Sequence, residues 1–198
     1  PDPRVHGRGL QILREAGLQV DIGVEEQACR ELNGGYLKRA ARGLPRVWLK
    51  AACTLDGRIA DASGVSQWIS GPQARQRVHR MRDRCDAIVV GSGTLKADDP
   101  ALNTRVEGGR DALPVLLDTE LCCPPDARVL TAGRRPRIYC ALDAPERGLD
   151  ADVVRVPRAA EGLDLSLTGG VSWRTHAGWQ AAFSSLDKAP ASGPPTTQ

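Results

Sequence analysis

The chain lacks the features that would place it in a membrane or outside the cell. No apolar run in its 198 residues approaches the roughly 20 residues of a bilayer span. Residues 1–9 do not have the charged-then-apolar layout of a secretory signal peptide. The net charge of +3 is too small to indicate a nucleic-acid partner. We therefore expect a soluble, cytoplasmic protein that binds neither membranes nor nucleic acid.

Several motifs that carry chemistry are also missing. None of the six cysteines belongs to a C-x-x-C pair, and no histidine lies at zinc-ligand spacing from them, so we expect no metal site. The three histidines are too scattered for a nucleophile–histidine–acid arrangement. No G-x-G-x-x-G motif indicates a standard dinucleotide fold. Cys53 and Cys140 fall within apolar, strand-like runs, which predicts buried free thiols rather than disulfides.

What the chain does have is an alternation of strands and helices, typical of an α/β sheet. Gly43 and Pro45 predict a boundary between two parts. We divide the chain into residues 1–44, 45–165 and 166–198, the last of which has the Pro/Ser/Thr-rich composition of a disordered tail. Residues 158–165 still allow the start of a helix. The predicted helices cover 6–16, 25–41 and 72–84, and the predicted strands cover 18–24, 47–53, 86–91, 113–118, 137–142 and 151–156.

Lys50 is the first residue that could take part in chemistry. A lysine inside a strand is costly to bury without a partner, and Asp56, after a turn, is a natural one. The alternative is that Lys50 points to solvent and that residues 54–57 form an ordinary tight turn.

Residues 63–72 form a loop of Ser, Gly and Trp just before a helix. Small residues allow a ligand to approach the backbone, Trp68 offers a flat face to a ring, and a helix N-terminus favours anions. The alternative is a helix-capping loop with an anchoring tryptophan.

Two arginines and an acidic loop flank the predicted strand 86–91. Arg82 and Arg105 could converge on a phosphate, whereas the other arginines of helix 72–84, Arg75 among them, suit a charged outer face. Residues 91–94 are expected to form a loop at the strand's carboxyl end, where α/β proteins place ligands. The pair Asp98–Asp99 could hold a metal, but no other ligand supports that interpretation.

In this order and spacing, these segments resemble one family. The run K-x-x-x-T-L-D-G-R from Lys50, then S-G-x-S-x-W-I-S, then an Arg-rich helix, then G-x-x-T-x-x-x-D-D-P-x-L-x-x-R is similar to the reductase domain of the riboflavin-biosynthesis bifunctional deaminase/reductases. The resemblance covers about residues 46–157. It implies a dihydrofolate-reductase-like fold that uses NADPH to reduce the ribose of 5-amino-6-(5-phosphoribosylamino)uracil to a ribityl group. The alternatives are another oxidoreductase of the same fold, or a non-catalytic remnant that binds a nucleotide or a partner.

The resemblance also implies a role for individual residues. Lys50 and Asp56 would orient the reacting end of the phosphoribosylaminopyrimidine substrate. The residues implied to contact NADPH are Ala52, Trp68, Thr94, Asp98 and Thr119. The residues implied to contact the substrate are Ser66, Arg82, Leu102 and Arg105. The sequence leaves the oligomeric state open, a homo-oligomer included.

Two parts of the family pattern are not found in this sequence. Residues before 43 resemble the end of the family's cytidine-deaminase-like domain, without its H-A-E and P-C-x-x-C elements, so we expect neither zinc nor deamination. Nothing in 158–198 matches the family's later V-E-x-G segment, which holds the cofactor diphosphate. We therefore expect an incomplete reductase core that binds NADPH weakly, if at all, and is inactive if the missing segment is essential.

Overall fold

The computed structural model describes residues 7–160 and 162–165. Contacts divide the chain into a first unit that ends at Leu49 and a second unit that begins at Lys50, a few residues beyond the predicted boundary. The three-part domain assignment stays a prediction, and the predicted tail lies outside the described residues. No helix in the described ranges is long and apolar enough to cross a membrane.

The first unit contains three short helices, α1 (Arg8–Glu15), α2 (Glu26–Leu32) and α3 (Gly34–Arg42). The prediction of one helix over 25–41 was wrong, because the helix breaks at Asn33. The Asn33 side chain donates from Nδ2 to the Cys29 carbonyl at 2.9 Å, which satisfies a carbonyl at the end of α2. Two glycines follow, and glycine is a weak helix former.

Two further predictions fail in the first unit. Residues 18–24 form no strand, because a strand needs a hydrogen-bonded neighbour and no described residue pairs with them. A single helix over 25–41 would also turn an apolar stripe inward, formed by Ala28, Leu32, Tyr36 and Leu37; none of these is buried, and Leu32 and Tyr36 are among the exposed large apolar side chains.

The second unit is built on a four-stranded parallel sheet of order β1-β2-β3-β4. All four strands were predicted within a residue or two, because each is a short apolar run bounded by turns. The predicted helix at 72–84 is confirmed as well. The strands are β1 (Ala87–Gly91), β2 (Leu113–Leu117), β3 (Arg137–Ala141) and β4 (Asp152–Val156); the helices are α4 (Pro72–Asp83), α5 (Ser92–Asp98) and α6 (Arg128–Thr131).

Alternate residues of the strands enter two apolar clusters. Leu116 and Ile138 belong to the larger cluster, which includes Leu95 of α5 and Val129 of α6. Their neighbour Val115 belongs to the smaller cluster on the opposite face, together with side chains such as Tyr139 and Val156. This period of two shows that the sheet has apolar side chains on both faces, as expected for parallel strands.

An ion pair accompanies the register between β3 and β4. Arg137 and Asp152 are direct partners across the two strands, and Arg137 Nε donates to Asp152 Oδ2 at 2.6 Å. The hydrogen bond to Asp152 raises the pKa of the Arg137 guanidinium above its usual value. A one-residue slip of either strand would break this pair and move the apolar side chains to the wrong faces.

Three predictions for the second unit were wrong. Residues 47–53 form no strand, since they have no ladder partner in the described chain, and Cys53 is exposed rather than buried. Residues 158–165 contain a small antiparallel hairpin instead of a helix, formed by β5 (Arg158–Ala159) and β6 (Gly162–Leu163). Residues 92–94 begin α5 instead of forming a loop.

The core supplies the first testable prediction. Leu116 is fully buried, so Leu116→Ala should lower the free energy of unfolding by about 2–5 kcal/mol through lost burial and a residual cavity. Leu142→Ala is the matched control, because that side chain is 61% exposed, and it should change stability by about 0.5 kcal/mol or less. Urea unfolding of both variants measures the difference; equal losses would contradict the placement of Leu116 in the core.

Candidate active site

Parallel pairing brings the residues that follow β1 and β2 to one edge of the sheet. Thr94 lies in the first turn of α5, directly after β1, and Thr119 lies two residues beyond β2. The Ala141 N–H donates to the Thr119 carbonyl at 3.0 Å, which ties the end of β2 to the end of β3. Two of the expected cofactor residues are therefore placed at the edge where α/β proteins bind ligands.

Ser66 and Asp98, predicted for substrate and cofactor respectively, contact each other. Ser66 Oγ donates to Asp98 Oδ1 at 3.1 Å, across 32 positions of sequence. This bond joins the loop before α4 to the last residue of α5. Asp98 keeps further lone pairs that a ribose hydroxyl can use.

Trp68 is 69% exposed and is partly covered by Arg75. The guanidinium carbon of Arg75 lies 4.2 Å from the centre of the indole ring, at cation–π distance. Arg75 Nη1 also donates to the Ser70 carbonyl at 2.6 Å. The assignment of Arg75 to a solvated outer face was wrong, since this side chain folds back from α4 onto the loop. The available signal was a tryptophan seven residues upstream, in the loop before the helix.

Arg82 and Arg105 lie close enough for their charges to act on each other, and their binding of a phosphate stays a prediction. Arg82 is half-buried and donates from Nη1 to the Asn103 carbonyl at 3.1 Å. Burial lowers the pKa of the Arg82 guanidinium, and the nearby charge of Arg105 lowers it further. Within residues 7–160 and 162–165 neither arginine forms an ion pair with a carboxylate. Two like charges without a counterion form a site that favours an anion.

Leu102 can face a ligand only with its main chain. Its side chain is buried in the larger apolar cluster, and its backbone has a φ of 52°, in the left-handed region. This turn directs the chain from the acidic loop toward Asn103 and Arg105. If Leu102 contacts a substrate, the contact is available only to its main chain.

The carboxylate pair after α5 separates. Asp98 accepts from Ser66, whereas Asp99 Oδ1 accepts the Arg128 N–H at 2.9 Å, at the first residue of α6. The two carboxylates are held by different segments, so the pair does not form the metal site that its sequence allowed. Over the described part of the chain, no three His, Cys, Asp or Glu side chains are grouped as a metal site.

Of the two interpretations of Lys50, the structure has the second: the side chain is exposed and does not pair with Asp56, and residues 54–57 form a tight turn in which the Gly57 N–H donates to the Thr54 carbonyl at 3.0 Å. Asp56 accepts a short hydrogen bond from Thr54 Oγ1 and forms an ion pair with Arg58 at 3.0 Å. The Thr54 hydroxyl, and then Arg58, hold the pKa of the Asp56 carboxyl below its usual value. Lys50 is exposed and makes no ion pair with a described residue, and Ala52 is half-buried.

Sequence reasoning missed Asp118, which is fully buried at the end of β2. Its Oδ2 accepts the Cys123 N–H at 2.7 Å, and its Oδ1 accepts from Cys122 Sγ at 3.3 Å. Burial, and then the Asp118 charge, raise the pKa of the Cys123 thiol to about 11, so this cysteine is not a reactive thiolate. An aspartate that directly follows a continuous apolar strand was the signal, since a buried carboxylate needs partners.

Similarity to known proteins shows the family of the chain. The profile of the RibD C-terminal domain family matches residues 45–157, more than half of the chain. The chain belongs to this family. RibD, the riboflavin biosynthesis protein of Bacillus amyloliquefaciens, is 42% identical over 152 residues, which cover 76% of this chain and 41% of that protein. Escherichia coli RibD is 49% identical over 105 residues, 53% of this chain and 29% of the other.

Solved RibD structures share the fold. The Thermotoga maritima diaminohydroxyphosphoribosylaminopyrimidine deaminase/5-amino-6-(5-phosphoribosylamino)uracil reductase superposes with a TM-score of 0.71 at 33% identity, covering 78% of this chain and 44% of that one. Acinetobacter baumannii RibD gives a TM-score of 0.69 at 37% identity, covering 79% and 46%. The expected fold is therefore confirmed as that of the RibD reductase domain. The chain spans less than half the length of these relatives.

Asp118 supplies the prediction for this region. Asp118→Ala leaves the buried Cys123 N–H without an acceptor and should lower the free energy of unfolding by about 1–3 kcal/mol. Asp118→Asn keeps one acceptor oxygen and should lose less. Asp126→Ala, at an exposed aspartate of the same segment, should stay within about 0.5 kcal/mol of the parent. Chemical denaturation ranks the three variants, and an Asp118→Ala variant as stable as Asp126→Ala would refute the anchoring role.

Proposed function

We propose that this chain is a reductase of riboflavin biosynthesis that uses NADPH to convert the ribose of 5-amino-6-(5-phosphoribosylamino)uracil to a ribityl group. Membership of the RibD C-terminal domain family supports this assignment, as does the reductase named for the T. maritima relative. The observation that carries it is the pair Arg82 and Arg105, which meet without a carboxylate partner in the described chain. Such a pair fits a phosphorylated substrate rather than a neutral one.

The residues at the sheet edge fit a dinucleotide. Thr94 and Thr119 supply hydroxyls, Asp98 supplies an acceptor for ribose, and Trp68 supplies a ring for stacking, with Ala52 as the remaining expected contact. NADPH would supply the hydride when bound. In this proposal the chain's own residues hold the two reactants in the geometry needed for hydride transfer and exclude competing reactions.

In the same proposal, different residues bind different parts of the substrate. Arg82 and Arg105 hold the phosphate, Ser66 and the Leu102 main chain contact the ribose, and Lys50 and Asp56 orient the end that receives the hydride. Because its pKa is lowered, Asp56 is ionised at neutral pH and acts as a hydrogen-bond acceptor rather than as an acid. Lys50 is free of ion pairs with described residues, so its ammonium is available to the substrate.

Turnover by the chain tests the proposal directly. NADPH should be consumed in step with the appearance of a ribitylamino product that carries two more hydrogen atoms than the substrate, as measured by absorbance and mass spectrometry. NADPH binding without turnover would instead support the hypothesis of a non-catalytic nucleotide-binding protein. A chain that neither binds NADPH nor changes the substrate would contradict the proposal and would instead agree with the expectation, drawn from the unmatched V-E-x-G segment, of weak or absent NADPH binding.

The two arginines give the mutational prediction. Arg82→Gln and Arg105→Gln should each lower kcat/KM for the phosphorylated substrate by about tenfold to over a hundredfold, the value of a charge-assisted hydrogen bond. Arg77→Gln is the matched control on the exposed side of α4 and should stay within about twofold of the parent.

A substrate without the phosphate separates recognition from folding. With it, Arg82→Gln and Arg105→Gln should match the parent, because no phosphate contact is left to lose. Equal losses in all three variants would indicate a diffuse basic surface rather than a phosphate site.

A further inference from the structure

His79 lies one helical turn before Arg82 on α4, so the two side chains share a face of the helix. His79 Nδ1 is buried and has no hydrogen-bond partner. The Asn103 carbonyl, which accepts a hydrogen bond from Arg82, also interacts with the imidazole through a hydrogen bond that raises the pKa of the ring. The reaction proposed above assigns no role to this histidine.

Unsatisfied polar atoms are concentrated around the same place. In the described ranges, the buried side-chain nitrogens and oxygens without a partner are His79 Nδ1, Asn103 Oδ1 and Thr104 Oγ1. All three belong to the two segments that the bond from Arg82 to Asn103 joins. A buried polar atom without a partner costs free energy, which a bound ligand with complementary groups would recover.

The charges around His79 all have one sign. Burial lowers the pKa of its imidazole below the usual 6.5, and the charges of Arg82, from its own helix, and Arg105, from the facing segment, lower it further. Only the hydrogen bond with the Asn103 carbonyl raises the pKa of the imidazole, and no carboxylate among the described residues does so. An anion that neutralises the arginines would remove this repulsion and allow the ring to protonate.

We propose that His79 is the third ligand of the anion subsite formed with Arg82 and Arg105, and that it takes up a proton when a phosphate group binds there. The bound oxyanion then accepts hydrogen bonds from two guanidinium groups and from the protonated imidazole. The subsite selects a dianionic phosphate ester over the corresponding alcohol, and its affinity for a dianion that does not itself titrate rises as the pH falls. The identity of the anion as the substrate's phosphate rests on the proposed function; the proton uptake does not.

Sulfate is the probe for the test, because it mimics the phosphate dianion but does not itself titrate near neutral pH. Calorimetric titration of the full chain, in buffers of different ionisation enthalpy, measures both affinity and protons exchanged. The affinity should rise about threefold to tenfold as the pH falls from about 7.5 to about 5.5, which corresponds to a shift of the His79 pKa on binding of about half to one unit. Sulfate binding that is independent of pH would overturn the proposal, and so would the absence of sulfate binding.

The other two histidines provide matched controls. His79→Gln should abolish the proton uptake, whereas His6→Gln and His176→Gln should retain it. If His79→Gln does not fold, retention of proton uptake in a chain with both other histidines replaced assigns the proton to His79, and its loss there refutes the assignment. Retained uptake in a folded His79→Gln variant also refutes it.

The outcomes of this test and of the reductase assay are separable. Sulfate binding with proton uptake, but no NADPH consumption, would leave the subsite standing and remove the proposed function. NADPH consumption with pH-independent sulfate binding would remove only the role of His79.

Discussion

Parallel hydrogen bonding of the four strands is the constraint on which the rest of the second unit depends. It sends the carboxyl ends of β1 to β4 to one edge, and the segments that follow are fixed to that edge by main-chain bonds. The Asp118 N–H donates to the Tyr139 carbonyl at 2.9 Å, so the turn after β2 is held by β3. The same turn carries Thr119, which places an expected cofactor contact through backbone geometry rather than through its own side chain.

The candidate site is positively charged, because within the described residues neither Arg82 nor Arg105 forms an ion pair with a carboxylate. Among the described residues, other arginines form ion pairs, as Arg137 does with Asp152 and Arg158 with Glu120. Arg82 instead bonds a carbonyl, which holds it in place without neutralising it. The positive charge therefore stays available to an anion such as a phosphate.

The sequence predicted the sheet because each strand is a short apolar run, and it predicted α4 from one apolar stripe that begins after Pro72. It failed for 47–53, since an apolar run becomes a strand only when a neighbour pairs with it, and pairing is not a local property. The candidate site likewise contains contacts that local sequence does not predict. The sequence indicated Arg82 and Arg105 as a pair because they flank β1, whereas the stacking of Arg75 on Trp68 depends on how the arginine side chain folds back onto a loop.

Amide chemical-shift mapping of the full chain tests most directly whether segments far apart in sequence form one phosphate-binding site. On addition of the phosphorylated substrate, we expect the largest shifts at the amides of Ser66, Arg82, Asn103 and Arg105, with the first unit unchanged. The dephosphorylated compound should leave Arg82 and Arg105 unperturbed. Shifts spread over the basic helix α3, or shifts at Ser66 without any at Arg82 and Arg105, would contradict the account.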